Sequence, residues 1–134
     1  MSEKKILIVD DARELARALT VRLKSEGFRV EVAYDAIQGM AAAVNSPPDL
    51  IVLDLRLPGG SGYDILEKLK MMPATCDVPV VVFTASGQTG AAKALELGAA
   101  AYLTKPCESK VLIAAIKDAL ETKPALPGEG DLLG

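Results

Sequence analysis

The sequence predicts an α/β fold in which a five-stranded parallel sheet is doubly wound, with helices on both faces. Strand and helix signals alternate five times along the chain, a pattern typical of βα units joined by right-handed crossovers. Residues 6–9, 50–53 and 80–83 are continuous apolar runs, as expected for strands that are covered on both faces. The chain has 134 residues, half of them apolar, which is enough for one domain with a substantial core.

The two remaining strands are less uniformly apolar. Residues 30–33 alternate as Val30, Glu31, Val32 and Ala33, which predicts an edge strand with one solvent-facing side. The fifth strand is predicted at residues 101–104, directly before Lys105.

Five helices are predicted from apolar side chains spaced three and four residues apart. Gly27 and Gly98 follow the first and fourth helices as C-terminal caps would. The fourth helix is the weakest, because its apolar face is mostly alanine and Gly90 lies in its first turn, where it predicts mobility. The predicted helices span residues 12–26, 36–45, 63–71, 89–97 and 109–120.

The helical pattern stops after about residue 121. We therefore predict one domain over residues 1–121 and a Pro/Gly-rich tail or linker over residues 122–134.

Composition excludes several classes of protein. The net charge of −3 does not point to a nucleic-acid surface, and no apolar run approaches the roughly 18 residues of a membrane span. The chain has no histidine, which excludes a Ser-His-Asp triad, a histidine metal site and a phosphohistidine carrier. Cys76 and Cys107 fit neither a disulfide framework nor a zinc pattern. These observations predict a cytoplasmic protein without a membrane anchor or direct nucleic-acid binding.

Four of the five predicted strands end on a polar residue suited to phosphate chemistry. These residues are the pair Asp10 and Asp11, then Asp54, Thr84 and Lys105. Because ligands of parallel α/β sheets bind outside the carboxyl ends of the strands, we expect these side chains to meet at one site. Three neighbouring carboxylates repel one another unless a cation such as Mg²⁺ lies between them, and a carboxylate can itself form an acyl phosphate.

Each residue also has a purely structural interpretation. Asp11 could cap the first helix, Thr84 could be chosen for its β-propensity, and a lysine at a strand end is usually solvated. Pro106 favours an extended Lys105, which would direct this side chain along the strand, and their peptide bond could be cis. The order of all these residues on successive strands favours the functional interpretation.

The sequence closely resembles the receiver domains of two-component response regulators over residues 3–121. The resemblance rests on the motifs ILIVDD at 6–11, LIVLDLRLP at 50–58 followed by Gly62, VVVFTA at 80–85 and GAAAYLTKP at 98–106. It implies the flavodoxin-like receiver fold with strand order 2-1-3-4-5. It also implies a role for each site residue: phosphorylation of Asp54; a Mg²⁺ site formed by Asp10, Asp11, Asp54 and the backbone carbonyl of Arg56; phosphoryl binding by Thr84 and Lys105; and a switch made by Thr84 and Tyr102.

The resemblance also implies partners and a mode of action. The phosphoryl donor would be a histidine kinase or a histidine phosphotransfer protein, and a downstream protein effector would read the surface of helix 4, strand 5 and helix 5. The chain would be a phospho-accepting switch rather than an enzyme. Moving such a switch almost completely needs about 5.5 kcal/mol, whereas one or two charge-assisted hydrogen bonds supply roughly 1.5–3 kcal/mol each. We therefore predict a partial shift that partner binding completes.

Some positions depart from the family pattern or vary within it. Ala100 and Ala101 stand where many relatives carry acidic residues that form dimer salt bridges, so we expect a monomer or weak dimer. Arg56 and Ser86 occupy positions that tune dephosphorylation in this family.

Three other functions remain as alternatives. An aspartyl-phosphate hydrolase would show Asp-x-Asp where this chain has Asp54-Leu55-Arg56, and a flavodoxin-like cofactor binder would need a Gly/Ser/Thr-rich loop after the first strand. A phosphorylation-independent interaction module on the same fold is the third alternative, and the complete set of acids, threonine and lysine argues against it.

Overall fold

The computed structural model describes residues 3–122, which form a five-stranded sheet, a small hairpin and five helices. The elements are β1 (Lys5–Val9), α1 (Arg13–Ser25), β2 (Arg29–Ala33), α2 (Ala36–Asn45), β3 (Leu50–Leu53), β4 (Arg56–Leu57), β5 (Gly60–Ser61), α3 (Gly62–Met71), β6 (Val80–Thr84), α4 (Ala91–Glu96), β7 (Ala101–Thr104) and α5 (Ser109–Glu121).

The main sheet is parallel throughout, with the order β2-β1-β3-β6-β7. Counted as the five strands of this sheet, the order is 2-1-3-4-5, as predicted, and β2 lies at an edge. The register fixes the site: Val9 pairs with Leu53, so Asp10 and Asp54 follow side by side. Thr84 pairs with Thr104, so Lys105 leaves the sheet directly beyond this pair.

The core consists of two apolar layers, one on each face of the sheet. Alternate residues of β1 point to opposite faces, with Leu7 and Val9 on one side and Ile6 and Ile8 on the other. Helices α2, α3 and α4 cover the first face, and α1 and α5 cover the second. Residues of β1, β3 and β6 are almost wholly buried, which explains their continuous apolar runs.

Two local features differ from the sequence-based expectation. The predicted fourth helix over 89–97 is wrong at its start: a 3₁₀ turn at Gln88–Gly90 precedes a six-residue α4. Gly90, the last residue of this turn, is buried, and a β-carbon there would meet the hydroxyl groups of Tyr63 and Tyr102. Between β3 and α3, where no element was predicted, the chain forms the antiparallel β4–β5 hairpin, in which Gly59 and Gly60 adopt positive φ angles.

Helix α5 ends at Glu121, with Thr122 as its C-cap. The predicted tail lies outside the described residues beyond this point and stays a prediction. Within residues 3–122, none of the helices combines the length and apolar character needed to cross a bilayer.

Candidate functional site

Asp54 lies at the centre of a polar cluster at the carboxyl edge of the sheet. Asp54 is only 6% exposed, so its carboxylate depends on protein partners for its hydrogen bonds. Oδ1 accepts from the hydroxyl of Thr84 at 2.9 Å and from the backbone N–H of Arg56 at 3.0 Å. Oδ2 accepts from Nζ of Lys105 at 3.1 Å. Both oxygens are therefore held in place by residues from three separate segments of the chain.

Asp10 and Asp11 complete an acidic cluster with Asp54. One carboxylate oxygen from each of the three residues lies within 4.8 Å of the others. Asp10 is buried, and its Oδ1 accepts from the N–H of Ala12 at 2.9 Å, whereas Asp11 is exposed. Helix α1 has Ala12 as its N-cap and no side-chain cap, so the alternative that Asp11 caps this helix is wrong.

Lys105 connects two of the acids. Its Nζ lies 2.7 Å from Oδ2 of Asp10 and 3.1 Å from Oδ2 of Asp54. The ammonium also lies 5.6 Å from the centroid of the Phe83 ring, within the range of a cation–π contact. The Lys105–Pro106 peptide bond is cis, as the sequence left open. The structure thus places this lysine against the acids and not in solvent.

The electrostatics follow from burial and from this ion pairing. Burial raises the pKa of Asp10 and outweighs the opposing effect of its hydrogen bond from Lys105. Burial acts to lower the pKa of Lys105, but its hydrogen bonds and charge attraction with Asp10 and Asp54 outweigh burial and raise that pKa. Lys105 is therefore a permanent cation at neutral pH.

The donors of the cluster suit a hard divalent cation. All three acidic side chains offer oxygen atoms, which Mg²⁺ prefers, and the described residues contain no histidine to favour a transition metal. Three carboxylates and one ammonium leave two negative charges, the amount that a divalent cation balances. The residues present therefore fit Mg²⁺.

Tyr102 lies outside this cluster. Its hydroxyl donates to the carbonyl of Gly87 at 2.6 Å, in the loop that follows Thr84. Burial raises the pKa of Tyr102, and the neighbouring Tyr63 raises it further. Ser86 lies in this loop, between Thr84 and Gly87, and its Oγ is 3.3 Å from the hydroxyl of Thr84. One loop thus connects Thr84 to Tyr102.

The family comparison agrees with this geometry. The family model described as "Response regulator receiver domain" matches residues 6–117. The chain belongs to this family. Members of the family are phosphoryl-accepting modules of two-component signalling, and this receiver has their sheet order and their acidic cluster.

Curated relatives and solved structures resemble this receiver over most of its length. It is 36% identical over 124 residues to the "DNA-binding dual master transcriptional regulator RpaA" of Synechocystis, covering 92% of this chain and 52% of RpaA. It is 38% identical over 121 residues to the "Phosphate regulon transcriptional regulatory protein PhoB" of Pseudomonas aeruginosa, covering 90% of this chain and 53% of PhoB. A CheY-like receiver domain from Methanospirillum hungatei superposes with a TM-score of 0.85 at 31% identity, covering 91% of this chain and 97% of that structure.

One partner prediction needs correction. The receiver spans about half the length of these curated relatives, and RpaA is named as a DNA-binding regulator and PhoB as a transcriptional one. The prediction of no direct nucleic-acid binding is therefore wrong, since the matched relatives are DNA-binding or transcriptional regulators. A net charge of −3 describes only these 134 residues, whereas the relatives extend well beyond the matched segment.

Sequence reasoning gave no role to Tyr63, which the structure places beside Tyr102. Tyr63 follows Gly62 at the start of α3, and its hydroxyl lies 3.5 Å from the carbonyl of Gly90. These residues are 27 positions apart, so no helical or strand periodicity connects them. The only sequence signal was that Tyr63 is an aromatic residue in the first turn of α3, the helix that follows the loop after Asp54.

Proposed function

We propose that this receiver accepts a phosphoryl group onto Asp54 from the phosphohistidine of a partner histidine kinase or histidine phosphotransfer protein. The observation that carries the proposal is the position of the Asp54 carboxylate, which is buried between the hydroxyl of Thr84 and the ammonium of Lys105. The donor must bring its own histidine, because this chain has none.

The transfer forms an acyl phosphate. A carboxylate oxygen of Asp54 forms a bond to phosphorus as the phosphorus–nitrogen bond of the phosphohistidine breaks, and the imidazole leaves with the electron pair and takes up a proton. Lys105 and the hydroxyl of Thr84 are positioned to stabilise charge on the phosphoryl oxygens. We propose that Asp10, Asp11, Asp54 and the backbone carbonyl of Arg56 hold Mg²⁺, which would neutralise the carboxylates and orient the phosphoryl group when bound.

The consequence of transfer is a competition for Thr84. Its hydroxyl donates to Oδ1 of Asp54 in the resting protein, and phosphorylation adds strong acceptor oxygens at the same residue. We propose that Thr84 moves toward the new oxygens. The Tyr102 side chain would then release the carbonyl of Gly87 and enter the space that Thr84 leaves. The change would alter the surface formed by α4, β7 and α5.

Intact-protein mass spectrometry tests the acceptor assignment. After incubation with acetyl phosphate and Mg²⁺, the wild type is expected to gain one phosphoryl group, and neither Asp54→Asn nor the wild type in EDTA is expected to gain it. Asp64→Asn is a matched control, because Asp64 is an exposed acid on α3, only ten residues away. An adduct on Asp54→Asn equal to that on the wild type would refute the proposal.

A further inference from the structure

Two tyrosine hydroxyl groups converge on the short loop that follows Thr84. Tyr102 donates to the carbonyl of Gly87 at 2.6 Å, and Tyr63 donates to the carbonyl of Gly90 through a longer contact of 3.5 Å. The two tyrosines come from different elements, β7 and α3. The 3₁₀ turn at Gln88–Gly90 is therefore held by hydroxyl groups near both of its ends.

Gly90 is shaped to receive Tyr63. A β-carbon at position 90 would overlap the hydroxyl oxygen of Tyr63, while it would lie 3.4 Å from Cζ of the same ring and 3.1 Å from the hydroxyl of Tyr102. The backbone of Gly90 is ordinary, with φ −91° and ψ −2°, so its conformation does not require glycine. Space for the Tyr63 hydroxyl is the local reason that the position lacks a side chain.

Tyr63 is itself held through its backbone and through its ring. Its backbone N–H donates to the side-chain oxygen of Ser61, the N-cap of α3, at 3.2 Å. The ammonium of Lys93, in α4, lies 4.6 Å from the centroid of the Tyr63 ring, within cation–π range. Tyr63 thus connects the start of α3 to Gly90 and to α4.

We propose that Tyr63 is a positioning residue of the switch: its hydroxyl and ring hold Gly90 and the first turn of the α4 region in the resting position. This inference rests on the proposed function, because it assumes that Thr84 moves on phosphorylation. Only five residues separate Thr84 from Gly90, so a shift of Thr84 must be absorbed between its anchor at Asp54 and the tyrosine contacts. Tyr63 opposes that shift, and its contact is weak enough to be released.

Substitution of the hydroxyl alone is the first test. Tyr63→Phe keeps the ring and its contact with Lys93 but removes the contact with Gly90. We expect amide exchange at Ala91, whose N–H donates to Gln88 across the 3₁₀ turn, and phosphorylation by acetyl phosphate each to accelerate by about 2- to 10-fold, as loss of one hydrogen bond predicts. Tyr34→Phe is the matched control, because Tyr34 packs against Arg13 elsewhere in the fold. Equal exchange and phosphorylation rates in Tyr63→Phe and the wild type would overturn the inference.

The fit between Tyr63 and Gly90 allows a double-mutant cycle. Gly90→Ala places its methyl group on the Tyr63 hydroxyl, so the single variant should displace the loop and accelerate exchange at Ala91. In the Tyr63→Phe background the overlap is removed, and the tightest remaining contact of the new methyl group is the Tyr102 hydroxyl at 3.1 Å, so the same alanine should have a clearly smaller effect than in the wild type. Additive effects of the two substitutions would contradict a direct contact between these residues.

Fluorine NMR separates this inference from the proposed function. The chain has three tyrosines, so 3-fluorotyrosine labelling gives three assignable resonances. Beryllium fluoride with Mg²⁺ should move the Tyr102 resonance of the wild type, and failure of that response would count against the proposed function. Faster exchange at Ala91 in metal-free Tyr63→Phe needs no phosphoryl analogue. That result supports the positioning role of Tyr63 and its absence overturns that role, whether or not the proposed function holds.

Discussion

Lys105 is the residue at which charge and geometry combine most directly. Its ammonium bridges Asp10 and Asp54 and lies 18% exposed, so it is held close to the atoms on which negative charge would develop. In the proposed transfer, a fixed cation at that position would lower the barrier far more than a cation in water, since Asp10, Asp54 and Thr84 are buried.

Replacing Lys105 with methionine should therefore separate metal binding from phosphoryl transfer. We expect the phosphorylation rate to fall by roughly 100- to 1000-fold, as for loss of one electrostatic donor. The affinity for Mg²⁺ should rise, because the three carboxylates lose their competing cation. Calorimetric titration and intact-mass kinetics measure the two effects. Lys110→Met, at an exposed lysine of α5, should change neither, and parallel losses in both variants would contradict this role.

The raised pKa of Asp10 predicts that its ionised carboxylate lowers the free energy of unfolding of the metal-free protein, by an amount that depends on pH. Because this pKa is higher in the folded protein than the ordinary 3.8, the folded state binds the proton more tightly than the unfolded chain. The loss of stability is therefore complete above the raised pKa and disappears as the pH falls through it toward 3.8.

Asp10→Asn should remove that cost. In EDTA near neutral pH we expect its Tm to exceed that of the wild type, with the difference shrinking as the pH falls toward 4. Thermal unfolding at several pH values measures the effect. A difference that grows on acidification would show that the sign assigned to Asp10 is wrong.

The proximity of the candidate site residues could be predicted from sequence because parallel strands bring their carboxyl ends to one edge. Each of these residues ends a strand or directly follows one, and the register of the sheet aligns the strand ends. They are Asp10, Asp54, Thr84 and Lys105. The position of Tyr63 could not be predicted in this way, because its contact with Gly90 depends on how α3 packs beside α4. That packing leaves no periodic signal in the sequence.

At the scale of elements, α2 shows how a single cap defines a helix. The side chain of Asp35 accepts from the N–H of Gln38 at 2.7 Å, which satisfies one of the free donors of the first turn. The first turn of α2 contains no acidic residue, and the other side-chain contact at its start is a longer one of 3.4 Å, from the N–H of Tyr34 to the side chain of Gln38.

Asp35→Ala should accordingly destabilise the fold by about 1 kcal/mol. Phosphorylation of Asp54 should be unaffected at temperatures where the variant is folded, because Asp35 makes no contact with the acidic cluster. Urea denaturation gives the free energy of unfolding. Asp64→Ala removes an acid from the first turn of α3, whose cap is Ser61, and should cost less. Equal costs for the two alanine variants would contradict the capping role.

Element boundaries were predictable where caps and periodicity agree. The bounds of α2 match the prediction, and those of α1, α3 and α5 differ from it by a residue at one or both ends. The fourth helix was predicted too long at both ends because Gln88–Gly90 carry no signal that distinguishes a 3₁₀ turn from an α-helical one. The β4–β5 hairpin was missed because two-residue strands are too short for an alternation pattern.

For the whole molecule, metal binding and folding should be linked. The acidic cluster joins residues from β1–α1 and β3 segments that are distant in sequence, so the unfolded chain lacks the assembled site. Mg²⁺ at a hundredfold excess over its Kd should therefore stabilise the protein by about 2.7 kcal/mol. Thermal unfolding with MgCl₂, against NaCl of equal ionic strength, measures the shift. Asp11→Asn should reduce it, and a full shift in this variant would exclude Asp11 as a ligand.

The most direct test of Asp54 as the phosphoryl acceptor is to map the phosphoryl group within the whole protein. Borohydride reduces an aspartyl phosphate to homoserine, which peptide mass spectrometry then assigns to one position. After incubation with acetyl phosphate and Mg²⁺, we expect homoserine at residue 54 and at none of the other acids. Homoserine at Asp10, Asp11 or another acid, with residue 54 unmodified, would contradict the assignment of Asp54 as the phosphoryl acceptor.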